Sequence, residues 1–192
     1  MPYTILPPTE GSETVLPTLE TERLLLRAPL AEDVDAIAAA CQDADIQHWT
    51  VVPSPYRRAD AEYFVHRLAP DGLQSGANLV WCVLEKDTGV LVGTQALVAR
   101  RPGVAEVGFW TSKETRGRGY TVEAMLALAR WAFTERQVRR LEWVAYVGNE
   151  PSLAVARRAG FTIEGTLRSY AEQRGVFRDS WMGSLLPGDL EP

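Results

Sequence analysis

The chain has 192 residues, 46% of them hydrophobic and 23% charged, which is the composition of one globular domain and not of a disordered chain. A chain this long buries most of the apolar surface of its unfolded form, so folding needs neither disulfide nor metal. The net charge of −5 gives no support for a nucleic-acid-binding face and leaves room for a cationic substrate.

Cys41 and Cys82 sit among apolar residues and read as buried free thiols. No paired metal-ligand spacing occurs, His48 and His66 are the only histidines, and no metal is expected. No apolar run approaches the ~20 residues of a membrane span. The N-terminus lacks the basic and apolar regions of a signal peptide, and the protein is expected in the cytoplasm.

Residues 1–18, with Pro2, Pro7, Pro8 and Pro17, read as an irregular arm outside the core, followed by a single domain over 19–188. Thr21 to Ala28 alternates as a strand, ended by Pro29. Glu32 to Cys41 reads as a helix with Val34, Ile37, Ala38 and Cys41 on one stripe. The stretch from His48 to Tyr56 is irregular, and a second helix then aligns Ala61, Phe64, Val65 and Leu68. Leu79–Glu85, Val90–Ala99 and Ala105–Thr111 form a predicted three-stranded meander. The strongest helix follows, with Val122, Met125, Leu126, Ala129, Ala132 and Phe133 on one stripe. Arg140 to Val147 is a strand, and Asn149 caps a short helix that stops at Gly160. Phe161–Tyr170 and Val176–Leu186 pair through Gln173-Arg174-Gly175. The order predicts an α+β fold, a mixed sheet flanked by helices.

The run Arg116-Gly117-Arg118-Gly119-Tyr120-Thr121 joins a strand to the strongest helix. Two glycines let the backbone curl, and the first helical turn aims unpaired N–H groups at one point. Those donors and the helix dipole suit a phosphate or pyrophosphate. No Walker or dinucleotide fingerprint is present.

These residues and their neighbours resemble the GNAT N-acetyltransferases, within them the branch of ribosomal-protein N-terminal acetyltransferases. The likeness spans about residues 19–186. Arg116 and Gly119 match the first and fourth positions of the family's acyl-CoA loop, while Thr121 stands where the family has Gly or Ala. Glu20-Thr21-Glu22-Arg23-Leu24, Ala105-Glu106-Val107-Gly108-Phe109-Trp110, Gly119-Tyr120-Thr121-Val122-Glu123-Ala124, and Asn149-Glu150-Pro151-Ser152 with Arg158-Ala159-Gly160-Phe161 match in order.

The resemblance implies the family's acyl-CoA N-acyltransferase fold: a largely antiparallel sheet of six to seven strands with about four helices. It implies acetyl-CoA as cosubstrate. The main chain at Phe109, Trp110 and Thr111 would bond the pantetheine, and the strands at 105–111 and 140–147 would splay apart. The N–H groups of Gly117, Arg118, Gly119, Tyr120 and Thr121 would hold the pyrophosphate beside Arg116, with Asn149 and Ser152 opposite. Amine attack on a thioester needs a base and stabilisation of the oxyanion and leaving thiolate. Glu106 is the candidate base, and Ser152 and then Tyr146 are candidate acids. His48, Trp49, Tyr56, Tyr170, Arg174, Phe177 and Trp181 fall where the family builds its acceptor pocket, with Trp49 and Tyr56 expected in a loop.

A protein or peptide N-terminal amine is the leading acceptor. A small-molecule amine, a longer acyl group such as succinyl read by Arg174 or Arg178, and a non-catalytic acyl-CoA-binding protein stay open. The branch allows a monomer or a homodimer.

Overall fold

A computed structural model of the chain describes residues 15–190. Residues 1–14 of the expected arm lie outside the described residues. Residues 15–18 have no regular secondary structure, yet Leu16 is buried in the core and the Trp81 indole donates to the Pro17 carbonyl at 2.8 Å. The end of the arm is therefore part of the core's cover.

Among the described residues eight strands form one sheet: β1 (Leu19–Glu20), β2 (Leu24–Arg27), β3 (Asn78–Glu85), β4 (Leu91–Arg101), β5 (Val104–Thr111), β6 (Arg140–Tyr146), β7 (Thr162–Gln173) and β8 (Val176–Leu185). Their spatial order is β1-β2-β3-β4-β5-β6-β8-β7, and among the described residues β5–β6 is the one parallel pair. The strand predicted over Thr21–Ala28 is instead a hairpin. Leu19 and Glu20 fold back on Leu26 and Leu25, because Thr21 donates its N–H to the Leu24 carbonyl and turns the chain. That turn supplies the strand beyond the predicted seven.

Six α-helical segments occur among the described residues: α1 (Val34–Ala40), α2 (Ala44–Trp49), α3 (Arg58–Tyr63), α4 (Ala69–Ser75), α5 (Tyr120–Glu135) and α6 (Glu150–Arg158). A π-helical turn, Phe64–Leu68, joins α3 to α4. Pro70, which has no N–H to give back to the preceding turn, is the second residue of α4. Helix α2 is a departure from the irregular stretch expected there. Asp43 accepts from the Asp45 N–H at its start, so Trp49 ends a helix and does not lie in a loop.

The sheet buries both faces. One packs Leu79, Trp81, Leu97, Val107 and Leu141 against α5 and α6. The stripe of α5 is centred on Ala124, Leu128 and Ala132, while Val122, Leu126 and Phe133 lie at its margin, a small rotation from the expected face. The other face packs Cys82, Leu84 and Leu91 against Val34, Ile37, Ile46 and Ala61 of α1–α3. Cys41 and Cys82 are free and buried, and burial pushes the Cys41 thiol up to about 12. No described helix is long and apolar enough to cross a membrane.

Candidate active site

Strands β5 and β6 pair only from Val104↔Arg140 to Val107↔Trp143. Beyond that point β5 stays with β4 as far as Thr111, and β6 stays with β8 as far as Tyr146. The two strands are drawn apart by their other partners. The main chain of residues 108–111 is thereby left with a free edge, the kind of edge that takes an added extended chain. The gap opens a cleft of about 1060 Å³.

The glycine-rich loop closes one end of this cleft. Gly117 and Gly119 take φ of +79° and +80°, the left-handed region that favours glycine. Gly119 precedes α5, and the N–H groups of residues 117–121 donate to no protein acceptor among the described residues. A loop of this shape fits a pyrophosphate. It is fastened from behind by Arg23, which donates to the Arg118 carbonyl at 3.1 Å and to Glu123 Oε2 at 2.7 Å. The Arg23 guanidinium also lies 4.6 Å from the centre of the Tyr120 ring, whose hydroxyl donates to Glu85. Burial would raise the Glu123 carboxyl, but hydrogen bonds from Thr21 and Arg23 outweigh it and hold the group below its ordinary range.

The structure assigns separate tasks to the loop's arginines. Arg116 is committed to Asp43 and Asp45 and donates Nε–H to the Thr111 carbonyl at 3.1 Å, so it ties the loop to α2. Arg118 turns to the Glu114 carbonyl and lies 3.9 Å from Glu85. Neither Arg118 nor the buried Tyr120 ring lines the cleft, whereas Phe109, Trp110, Thr111, Gly117, Gly119 and Thr121 do. The Thr121 hydroxyl is 2.7 Å from that of Thr111, and its carbonyl accepts from buried Gln95 at 3.3 Å. The residue that departs from the family's small position thus links the start of α5 to the end of β5.

Glu106 lines the cleft, and Arg100 on β4 donates to its Oε2 from Nε at 2.9 Å and Nη2 at 2.7 Å. Burial raises its carboxyl above the ordinary range, with Arg100 opposing and Glu142 adding to the rise. Asn149 Oδ1 accepts from the Ser152 N–H at 3.2 Å, which orders the start of α6. The Ser152 hydroxyl accepts from the Trp143 indole at 3.0 Å and lines the cleft, its own proton uncommitted to any acceptor in the described residues. Tyr146 also lines it. Burial pushes its phenol up, and the Arg178 guanidinium, 5.5 Å from its ring centre, works against that.

The acceptor candidates divide. Trp49, Tyr56 and Tyr170 line the cleft, although Tyr56 is 6% exposed and belongs to the core beneath α1–α3. His48, Arg174, Phe177 and Trp181 do not line it. The His48 ring meets Trp49 edge-on, 4.4 Å between centres, and Phe177 is exposed on the hairpin. Trp181 packs at the margin of the larger core. Arg174 donates to the Gln47 and Val52 carbonyls at 2.9 and 3.1 Å, and Gln173 donates to those of His48 and Thr50 at 2.8 Å. The β7–β8 turn is therefore a bridge that grips the end of α2 across the cleft. Gln173, Trp143, Arg100 and Arg23 carry no local mark in the sequence, because their partners lie on other strands or helices. Among the described residues no group of three His, Cys, Asp or Glu side chains is placed to hold a metal.

Residues 23–162 match the family model described as an acetyltransferase (GNAT) domain. The chain is 28% identical over 171 residues to the uncharacterized N-acetyltransferase p20 of Bacillus licheniformis, covering 88% of this chain and 96% of that one. Its fold is similar to that of a solved putative ribosomal-protein-serine acetyltransferase from Vibrio cholerae, with TM-score 0.82 and 25% identity over 91% of this chain and all (100%) of that one. It is also similar to RimL, a ribosomal L7/L12 α-N-protein acetyltransferase solved in complex with coenzyme A, with TM-score 0.80 and 22% identity over 91% and 100% of the two chains. The chain therefore belongs to the GNAT acetyltransferase family and is an N-acetyltransferase.

Proposed function

We propose that the chain transfers an acetyl group from acetyl-CoA to the N-terminal amine of a protein or peptide, by direct attack within a ternary complex. The observation that carries this reading is the parting of β5 and β6 beyond Val107 and Trp143, which sets a free strand edge, the glycine loop and Glu106 around one cleft. Residues 109–111 would bond the pantetheine amides, the N–H groups of 117–121 the pyrophosphate, and Asn149 and Ser152 the opposite side. When bound, the thioester supplies an acyl carbon activated for attack.

The acceptor ammonium must lose a proton before its nitrogen attacks. Glu106 takes that proton, directly or through water. The C–N bond forms and the C–S bond breaks; the nitrogen gives up its second proton to replace the one that the Ser152 hydroxyl passes to the leaving sulfur, giving amide and thiol. Ser152 is the donor to that sulfur, since its oxygen already accepts from Trp143 and its proton is left to give. Tyr146, whose phenol is pushed up by burial, is the second choice. Holding both substrates in one cleft contributes as much as any side chain.

A protein acceptor is supported by what the Vibrio cholerae neighbour is named for. Trp49 and Tyr170 offer aromatic walls to the residues behind the amine. Of the two arginines that could read a succinyl group, Arg174 is bound to α2, while Arg178, 5.5 Å from the centre of the Tyr146 ring, is left open to it. The test is thiol release from acetyl-CoA with a panel of peptides differing in their first residue, the same peptides N-acetylated, spermidine and free amino acids. Free peptides turn over and blocked ones do not. Faster turnover of spermidine or amino acids would replace the peptide reading, and no amine-dependent release would end the enzymatic one.

A further inference from the structure

We propose that Arg100 is a positioning residue that holds Glu106 as a carboxylate by one oxygen, assigning the other, Oε1, as the atom that receives the acceptor's proton. This rests on Glu106 being the base. Arg100 and Glu106 stand on adjacent antiparallel strands at the closed end of the cleft, next to the point where β5 and β6 rejoin. Both donors of Arg100 converge on Oε2, at 2.9 and 2.7 Å. Oε1 accepts no hydrogen bond among the described residues. A bidentate pairing would have occupied both oxygens. The one-oxygen grip fixes the carboxylate and leaves the second oxygen's lone pairs for the incoming N–H or an intervening water.

The surrounding charges single out Arg100. Glu142 on β6 is the register partner of Glu106 and is itself held by Arg101 Nη2 at 2.8 Å and Arg140 Nε at 3.0 Å. Those two arginines answer Glu142, and Arg100 answers Glu106. Asp60 of α3, Arg158 of α6 and Glu172 of β7 line the same cleft without a hydrogen bond to Glu106. Burial in the cleft favours the protonated acid, which is useless as a base. Arg100 opposes that effect while its own side chain stays 43% exposed, so its removal leaves the core intact.

The test compares wild type, R100M, R100K and E106Q. Glutamate side-chain carboxyls are labelled with 13C and titrated by NMR, the Glu106 signal being the one lost in E106Q. In R100M the Glu106 midpoint moves to higher pH. At the wild-type midpoint only about one-tenth of R100M Glu106 is ionised, as follows from losing an opposite charge in contact. R100K, which keeps the charge, returns the midpoint toward wild type. The acid limb of kcat/KM for a seryl peptide and acetyl-CoA moves in step. An R100M midpoint equal to wild type overturns the proposal. Full turnover by E106Q sinks the base assignment instead, a separate result that the titration does not depend on.

Discussion

Gly119→Ala tests whether the glycine loop is a rigid, pre-shaped site. At φ +80° an alanine is strained by about 1–2 kcal/mol, the cost of the left-handed region for a residue with Cβ. The added carbon would stand 3.6 Å from Arg23 Nη2, an ordinary contact, so the penalty is conformational and involves no collision. It has two places to appear. If the loop keeps its shape, the free protein loses the whole amount in stability and binds coenzyme A normally. If the loop relaxes to escape the strain, stability is kept and binding must restore the shape, weakening affinity by roughly 5–30-fold. The two losses add to the same 1–2 kcal/mol. Urea unfolding and calorimetric titration with coenzyme A measure the two parts. Gly175→Ala is the control, since Gly175 has φ +78° and open space around its Cβ position, in the β7–β8 turn away from the loop. It loses stability alone. If Gly119→Ala changes neither quantity, or Gly175→Ala weakens coenzyme A equally, the reasoning is wrong.

Glu123→Gln removes a carboxylate that Thr21 and Arg23 hold below its ordinary pKa. The stabilisation is present above the unfolded-state pKa and lost as pH falls through the folded one, so variant and wild-type unfolding midpoints differ at pH 7 and converge in acid. Gln173→Ala removes two hydrogen bonds to the end of α2 from a side chain that is 5% exposed. Stability falls by about 1–3 kcal/mol, and KM rises for the acceptor while coenzyme A affinity in calorimetry stays put. Cys41 and Cys82 are buried, and burial raises both thiols, so a thiol reagent modifies neither in the native protein and both after unfolding. Rapid labelling of the folded chain would contradict the packing around α1 and β3.

Much of the fold was written locally. Asn149 accepts a backbone N–H at the start of α6, and Gly160, at φ +90°, follows its end. Arg174 and Gly175, with φ of +52° and +78°, make the turn read between β7 and β8. The glycines of the loop were legible because only special backbone angles demand them there. Helix α2 is not legible in the sequence because it is six residues long and shows too few turns for a period, and its signal is the cap Asp43 alone. The β1–β2 hairpin is not legible either, because its first strand has two residues.

By itself the sequence determined the longer helices and most of the strands, roughly which of their faces are apolar, and that a glycine-rich turn sits between a strand and a helix. Those features follow from neighbours within a turn or two, where spacing alone sets contact. Which charge meets which was decided only by the tertiary structure. Arg23 reaches Glu123 across 100 positions, Arg116 reaches Asp43 across 73, and Gln173 reaches the His48 carbonyl across 125. The sheet order brings these groups together, and long polar side chains carry no periodic mark of a distant partner. The parting of β5 and β6 has the same origin: each strand follows its other neighbour, so the cleft belongs to the topology and to no single segment.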